Sequence, residues 1–452
     1  MTKDLTQGSP AKLILGFAVP LLAGMLFQQL YNLVDTIIVG RFLGVKALAG
    51  VGATGSISFL VLGFGMGICS GFAIPVAQYF GAKDESRMRA YVANGLILSA
   101  VFAAVLTVVT VVFCRDILKL MDTPEDCFEE AYWYIVVVFA GIPFIFLYNL
   151  LSGYLRSLGD SRTPLYFLLL SSVLNIVLDL AFILIFHMGV FGASLATVIS
   201  QGASGLLCLL FIVKKVPILH ITGDEWRVSR RAMAELCKYG VPMGFQYSIT
   251  AVGTVVLQTA INALGATVVA AVAASAKVLN FIQCPIEALG ATMATYGAQN
   301  VGASRYERLD KGVIAGALMG FAYSVLAYGI AVLAGDQFVS LFASGGESGE
   351  LIALAHEHMK AYSLFYPLLT LVNVVRLTIQ GMGFSVIAVV AGVLEMVARS
   401  LAGIYLVPAL GVVGAALGGP LAWLFADAFL IPTYFRCKRL VMGRVHHINP
   451  QA

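Results

Sequence analysis

The stretch AQYFGAKDESR at residues 77–87 recurs as AQNVGASRYER at residues 298–308. Both copies carry the pattern AQxxGA, and they lie 221 residues apart in a chain of 452 residues. A repeat with a long period determines the architecture, because each copy marks the same position in a repeated structural unit. The sequence therefore predicts a protein built from two related halves.

Three further pairs of segments keep nearly the same offset. They are FAVPLL at 17–22 with YGVPMG at 239–244, Asn149…Gly159 with Asn373…Gly383, and GVFGASL at 189–195 with GVVGAAL at 411–417. Agreement among several independent segments makes a chance match improbable.

The composition excludes most soluble proteins. Hydrophobic residues make up 60% of the chain, charged residues only 12%, and the mean hydropathy is +0.91. Soluble domains carry about 25% charged residues, so this chain requires an apolar solvent around it. The net charge of +4 is spread over the whole length, which argues against a nucleic-acid partner. We predict an integral membrane protein.

Apolar stretches long enough to cross a bilayer predict twelve spanning helices. They are residues 13–40, 47–79, 90–113, 131–155, 163–187, 190–213, 240–264, 267–297, 312–334, 361–381, 384–408 and 411–435. The repeat offset covers six helices, an even number, so the halves share one membrane orientation and form a parallel repeat. The predicted domains are a six-helix lobe at 1–213, a cytoplasmic interfacial linker at 214–239, a second six-helix lobe at 240–436 and a cytoplasmic tail at 437–452.

The distribution of Lys and Arg orients the chain. With the N-terminus in the cytoplasm, 20 of the 28 fall in cytoplasmic segments, five on the outer side and three within spans. Positive charge concentrates on the cytoplasmic side of membrane proteins. We expect a multi-pass protein of the cell inner membrane with both termini cytoplasmic. The charged linker is interpreted as an amphipathic helix, with an ordinary solvated linker as the alternative.

Polar residues inside the first half form a candidate ion site. Gln28, Asn32 and Asp35 share one helical face, Asn175 and Asp179 are spaced i, i+4, and Thr197 lies at a similar depth. A carboxylate at mid-bilayer costs roughly 2.5–3.5 kcal/mol on insertion scales, so it requires a partner or a function. Two carboxylates in one pocket would share a proton or a hard cation. The alternative is that each carboxylate only holds neighbouring helices together.

The second half differs from the first. Its first span has no acid and carries a neutral stripe that includes Gln246. Glu395 and Arg399 at i, i+4 are interpreted as a packing ion pair, with a substrate or gating role as the alternative. For Lys277, Glu287 and Asp427, a structural and a functional role are equally open, and Arg376 is expected to pair with one of these acids.

Motifs for enzyme chemistry are missing. There is no P-loop, and the segment His356-Glu357-His358 is interpreted as a surface histidine pair without a metal. We therefore expect no enzyme, no catalytic residue, no metal and no cofactor beyond a coupling ion.

The segment YNLVDTIIVGRFLG at 31–44, the paired AQxxGA loops and GDSRTPL at 159–165 resemble the multidrug and toxic compound extrusion (MATE) family over essentially the whole chain. The resemblance implies two six-helix lobes in a V shape that alternate access and export organic cations in exchange for H⁺ or Na⁺. The family's cation site corresponds to Asp35, Asn175, Asp179 and Thr197. Cavity contacts are expected from Gln28, Tyr31, Asn32, Asn149 and Gln246.

The sequence departs from the NorM-like branch, which places a glutamate in the seventh helix and an acid in the tenth. Here the seventh span has no acid and the tenth carries Arg376, so the chain resembles the DinF-like branch more. The expected partners are small organic cations, the coupling ion H⁺ or Na⁺ and membrane lipids, with the protein as a monomer. The alternatives are a lipid-linked precursor flippase of the same superfamily, which would use Lys277, Arg376 and Arg399 for pyrophosphate, and a membrane-embedded enzyme.

Overall fold

The computed structural model describes residues 3–340 and 348–448, and all regular structure within them is helical. Ten helices are long and apolar enough to cross a membrane, and two bent helix pairs raise the number of candidate spans to as many as twelve. The prediction of an all-α membrane protein with two bundles of spanning helices is confirmed.

The first ten helices are α1 Pro10–Phe42, α2 Gly44–Ala53, α3 Gly55–Gly81, α4 Glu85–Val112, α5 Cys114–Leu120, α6 Phe128–Ala140, α7 Ile142–Ser157, α8 Arg162–Leu180, α9 Gly189–Lys215 and α10 Arg230–Asn262. The remaining seven are α11 Ala266–Gly302, α12 Glu307–Ser340, α13 Ser348–Ser363, α14 Tyr366–Gly381, α15 Ser385–Leu401, α16 Val407–Leu410 and α17 Val412–Ile448. Two π-helical turns follow α8 and α15, at Ala181–Ile185 and Ala402–Leu406.

The bent pairs occur at repeat-related positions. The axes of α6 and α7 meet at 48°, and those of α13 and α14 also meet at 48°. Pro143 and Pro367 lie at the starts of α7 and α14, where a missing amide donor costs nothing but the preceding residue is kept out of helical geometry. Pro20 and Pro242, in contrast, lie inside the unbroken helices α1 and α10.

Three segments differ from the sequence expectations. The second span was expected at 47–79, but α2 and α3 are separate helices with a break at Thr54, and only α3 is long enough to cross. The linker is not one amphipathic helix: it forms 3₁₀ turns at Pro217–Leu219 and Gly223–Trp226 before α10 begins. The final helix continues to Ile448 through most of the predicted tail, whose last residues, 449–452, lie outside the described residues.

The chain divides into two compact units. Unit 1 contains Met1–Asp4 and Ala23–Ser248, and unit 2 contains Leu5–Leu22 and Ile249–Ala452. The first part of α1 thus belongs to unit 2 and the first part of α10 to unit 1. The lobes predicted from the sequence do not contain this exchange of helix segments.

Unit 1 packs α3 against α4 and α7, and α9 against α6, α7 and α8. Small residues allow close approach in this bundle: a Cβ added to Gly71 would lie 2.4 Å from the Cα of Gly240 on α10. In unit 2, α11 packs against α12, α13 and α14, and α17 packs against α13, α14 and α15.

The repeated AQxxGA loop that reveals the two halves has a structural role in unit 2. Gln299 accepts a hydrogen bond from the Leu5 amide at 2.9 Å, and Asn300 donates to the Leu5 carbonyl at 3.4 Å. Arg305 donates to the Thr6 carbonyl at 3.0 Å. These bonds fasten the segment that precedes α1 to the loop.

A similar attachment exists in unit 1 just after the first copy of the loop. Asn94 accepts from the Ser229 amide at 2.9 Å, and Arg89 donates to both oxygens of Glu225 at 2.8 and 2.9 Å. In unit 1, residues just after the first copy of the loop thus fasten the segment before α10, and in unit 2, residues in and next to the second copy fasten the segment before α1.

Candidate functional site

The structure brings together the four residues predicted to bind the coupling ion. Asp35 lies on α1, Asn175 and Asp179 on α8, and Thr197 on α9. The i, i+4 spacing places Asn175 and Asp179 on one face of α8, and this face packs against α9. The Asn175 amide lies 3.4 Å from the Thr197 hydroxyl.

Several buried oxygen atoms of this cluster have no hydrogen-bond donor. Asp179 is fully buried and Asn175 is 2% exposed. Among the described residues, no hydrogen-bond donor reaches Oδ1 of Asp35, Oδ1 of Asn175 or either carboxyl oxygen of Asp179. Buried polar atoms normally have partners, so four such oxygens in one place indicate room for a proton or a hard cation.

The carboxyl groups of Asp35 and Asp179 lie within hydrogen-bonding range of each other. Two carboxylates only accept hydrogen bonds, so this contact is favourable only when a proton or a cation lies between them. The arrangement therefore has the chemistry to accommodate one positive charge.

Sequence reasoning missed two residues beside this pair. Tyr134 on α6 lies close enough to Asp35, Asp179 and Tyr31 to interact with them electrostatically. Gln201 on α9 lies within hydrogen-bonding range of Tyr31. An aromatic residue in an apolar span carries no signal of its own. A search for polar residues at equal depth, which found Thr197, could have found Gln201.

The predicted cavity residues all belong to unit 1, but they are not equally close to the carboxylates. Gln28 lies beside Tyr31, whereas Asn32 is exposed on the same helix. Asn149 uses its amide to donate to the carbonyl of Ile145 at 2.8 Å. Gln246 is half-buried on α10. Gln28 and Tyr31 are thus joined to the carboxylate cluster, because Tyr31 lies close to both Gln28 and Asp35.

Charged residues of unit 2 form a separate cluster. Glu395 on α15 forms ion pairs with Arg376 on α14 and with Arg399, the latter at 3.5 Å. Lys277 and Glu287 are exposed on α11, and Asp427 is buried on α17. Because both arginines share one carboxylate, the flippase alternative lacks the group of available cations that it requires.

The histidine segment is not a surface pair as expected. His358 is only 5% exposed, and its ring nitrogen lies 2.8 Å from the hydroxyl of Ser275, while His356 contacts Asp336. Helix α13 buries Ala355, His358 and Met359, spaced i, i+3 and i+4, so His358 lies on its inward face. No group of three potential metal ligands occurs within the described residues.

Comparisons with known proteins agree with this architecture. The MatE family model matches twice, at residues 20–181 and 242–404. The probable multidrug resistance protein YoeA of Bacillus subtilis is 30% identical over 81% of this chain and 80% of its own length. YpnP, another probable multidrug resistance protein of B. subtilis, is 28% identical over 97% and 98%. A FAD transporter of Shewanella oneidensis is 23% identical over 74% of each chain.

Solved structures show the same fold. The crystal structure of MATE in complex with MaL6 matches with a TM-score of 0.92 at 23% identity, over 98% of this chain and all of the other. An outward-facing multidrug resistance MATE transporter of the MOP superfamily matches with a TM-score of 0.91 at 22% identity, over 98% and 99%. The double match of the family model also coincides with the repeat in the sequence. The chain is therefore a multi-pass membrane transporter, not an enzyme, and it belongs to the MATE family.

Proposed function

We propose that the protein is a secondary antiporter that exports amphipathic organic cations in exchange for H⁺ or Na⁺, with Asp35 and Asp179 as the coupling site. The observation that carries this proposal is the set of four oxygens without donors on Asp35, Asn175 and Asp179. Related proteins whose names describe multidrug resistance or multidrug export support a role in efflux.

Coupling follows from the different charge of the site in its two states. Binding of one H⁺ or Na⁺ removes the repulsion between the carboxylates, which favours whichever conformation holds them close together. An ion shifts a conformational equilibrium only by its difference in affinity for the two states. A site that forms and opens with the movement of α1 against α8 provides that difference.

The π-helical turn Ala181–Ile185 begins two residues after Asp179. Such turns frequently lie at functional sites, because they loosen the regular hydrogen-bond ladder of the helix. This turn gives α8 a place to change its geometry when the charge on Asp179 changes.

The proposed orientation has both termini in the cytoplasm of the cell inner membrane, as the charge distribution predicts. The proposal also includes a monomeric protein that resembles the DinF-like branch. The loss of acids from the first span of the second half supports coupling through unit 1.

The test uses proteoliposomes loaded with a fluorescent organic cation, with H⁺ and Na⁺ gradients imposed separately. Asp35→Asn and Asp179→Asn should each lower gradient-driven transport at least tenfold, and Asp116→Asn, which changes an exposed acid of α5, should leave it unchanged. Size-exclusion chromatography checks that each variant is folded. Undiminished transport in both coupling variants would exclude this site.

A further inference from the structure

A cavity of about 570 Å³ lies in unit 1, apart from the carboxylate cluster. We refer to its lining residues as the rim pocket: Leu43, Ala47, Glu129, Glu130, Trp133, Met188, Gly189, Val190 and Phe191. Sites for drug-sized molecules usually measure about 300–1,000 Å³, so one such molecule fits.

The rim pocket lies where the helices that carry the coupling carboxylates end. Helix α1 carries Asp35 and ends at Phe42, directly before Leu43. At 1.5 Å per residue, Leu43 is about 12 Å further along that axis. The chain after Asp179 passes through the π-helical turn and reaches the pocket at Met188. Movement of either carboxylate-bearing helix therefore moves a wall of the rim pocket.

One wall of the rim pocket is aromatic and apolar. Trp133 is 48% exposed, and its ring packs edge-on against Phe191 with centroids 6.2 Å apart. The Met188 thioether lines the same cavity. An accessible tryptophan face attracts organic cations through its quadrupole, and a thioether adapts to ligands of different shape.

The rim pocket also contains two acidic residues, Glu129 and Glu130, which lie one helical turn before Trp133 on α6, and their ion pairs are weak. Glu130 pairs with Lys46 at 3.1 Å and Glu129 with Arg115 at 2.9 Å. The lysine and arginine side chains are 63% and 49% exposed. Exposed ion pairs contribute about 0–1 kcal/mol, so a ligand cation can replace either partner at small cost.

The segment leading into the rim pocket is also strongly acidic. Residues 115–130 carry six Asp and Glu against two Lys and Arg. A surface with an excess of one charge raises the local concentration of oppositely charged ligands. Charge, shape and aromatic lining therefore all favour an organic cation as the ligand.

We propose that the rim pocket is a second binding site for amphipathic organic cations. Trp133, Phe191 and Met188 hold the aromatic part of the ligand, and Glu129 and Glu130 hold the positive centre. The role of the site as a station for exported substrate rests on the proposed function, whereas binding itself does not require transport.

The test measures binding at equilibrium with no ion gradient. The chain has three tryptophans, so the Trp226→Phe/Trp423→Phe variant reports on Trp133 alone. Tetraphenylphosphonium should protect Trp133 from quenching by acrylamide in a saturable manner, and tetraphenylborate, an anion of the same shape, should not. Since Trp423 is buried, equilibrium dialysis of tetraphenylphosphonium with the otherwise unaltered chain provides a second measurement if the double variant does not fold.

Two double variants distinguish direct contact with the ligand in the rim pocket from general attraction by the acidic segment. Glu129→Gln/Glu130→Gln should weaken binding about tenfold, whereas Glu125→Gln/Asp126→Asn removes the same charge from the same segment outside the rim pocket and should have a much smaller effect. Because binding is measured without a gradient, saturable protection of Trp133 supports this proposal whether or not Asp35→Asn and Asp179→Asn lower transport, and its absence refutes this proposal without bearing on the coupling site.

Three results would overturn the assignment. They are equal protection by tetraphenylborate, equal loss of affinity in the two double variants, and loss of protection when short-chain phosphatidylethanolamine is added, which would identify a lipid as the occupant.

Discussion

Replacing Glu395 by Gln tests whether the charge cluster of unit 2 is structural. Glu395 holds Arg376 and Arg399, and the three side chains are 4%, 11% and 12% exposed. Glu395→Gln keeps the shape but leaves two arginines without their shared counter-charge. Removing one partner of a buried ion pair typically costs about 3–5 kcal/mol.

This cost converts into a measurable change in melting temperature. For folding units of 150–250 residues, about 1 kcal/mol shifts the midpoint by roughly 2–4 °C. We expect the apparent melting temperature of Glu395→Gln in detergent to fall by roughly 6–20 °C. Glu357→Gln changes an exposed acid in the same unit and should melt within about 1 °C of the unaltered protein.

A double variant completes the experiment. Arg376→Gln/Glu395→Gln leaves a single arginine, so it should recover part of the stability lost in Glu395→Gln. If Glu395→Gln melts like the unaltered protein, or if the double variant melts no higher than the single one, the cluster is not a packing device. Transport by the same variants then decides whether it has a gating role.

Two further predictions concern packing and pH. Gly71→Ala places a Cβ 2.4 Å from the Cα of Gly240, so it should destabilise unit 1 by about 1–3 kcal/mol, while Gly52→Ala, with nothing within 4 Å, should melt almost unchanged; equal melting temperatures would contradict the close approach. Burial raises the pKa of the Glu225 carboxyl, but hydrogen bonds from the Thr222 amide and from Arg89 outweigh this and hold its pKa below its usual value of 4.5. A lowered pKa adds stability above the unfolded-state value that is lost on acidification, so Glu225→Gln should melt lower than the unaltered protein at neutral pH and converge with it in acid. Asp224→Asn, at an exposed residue, is the control, and a constant difference across the pH range would refute the reasoning.

The sequence was sufficient for the fold because its signals were long and redundant. Twenty apolar residues can be satisfied in lipid only as a helix, and several repeat anchors had to agree on one offset. The elements it missed depend on single residues. The helix breaks at Thr54 between α2 and α3, and the linker replaces a helix with 3₁₀ turns fixed by contacts such as Arg89 to Glu225.

Part of the candidate ion site was also visible in the sequence. Asp35 and Asp179 were conspicuous because carboxylates are rare in spans, and their spacing to polar neighbours placed them on helix faces. Tyr134 was not visible, since its position beside the pair depends on how α6 packs against α9. The rim pocket was invisible for the same reason: its residues come from segments up to 148 positions apart in the chain, between Leu43 and Phe191.

The two halves each contain a π-helical turn at corresponding positions, but the charged residues next to the turns differ. Each has a π-helical turn at the end of an inner span, and Ala181 and Ala402, which begin these turns, are 221 residues apart, the offset of the repeat. In unit 1 the turn follows Asp179, whose oxygens have no donor among the described residues. In unit 2 it follows Arg399, which is paired with Glu395. A helix that can change its geometry responds to an ion only where a charge is left uncompensated, so the same turn should act as a switch in unit 1 and as a fixed bend in unit 2.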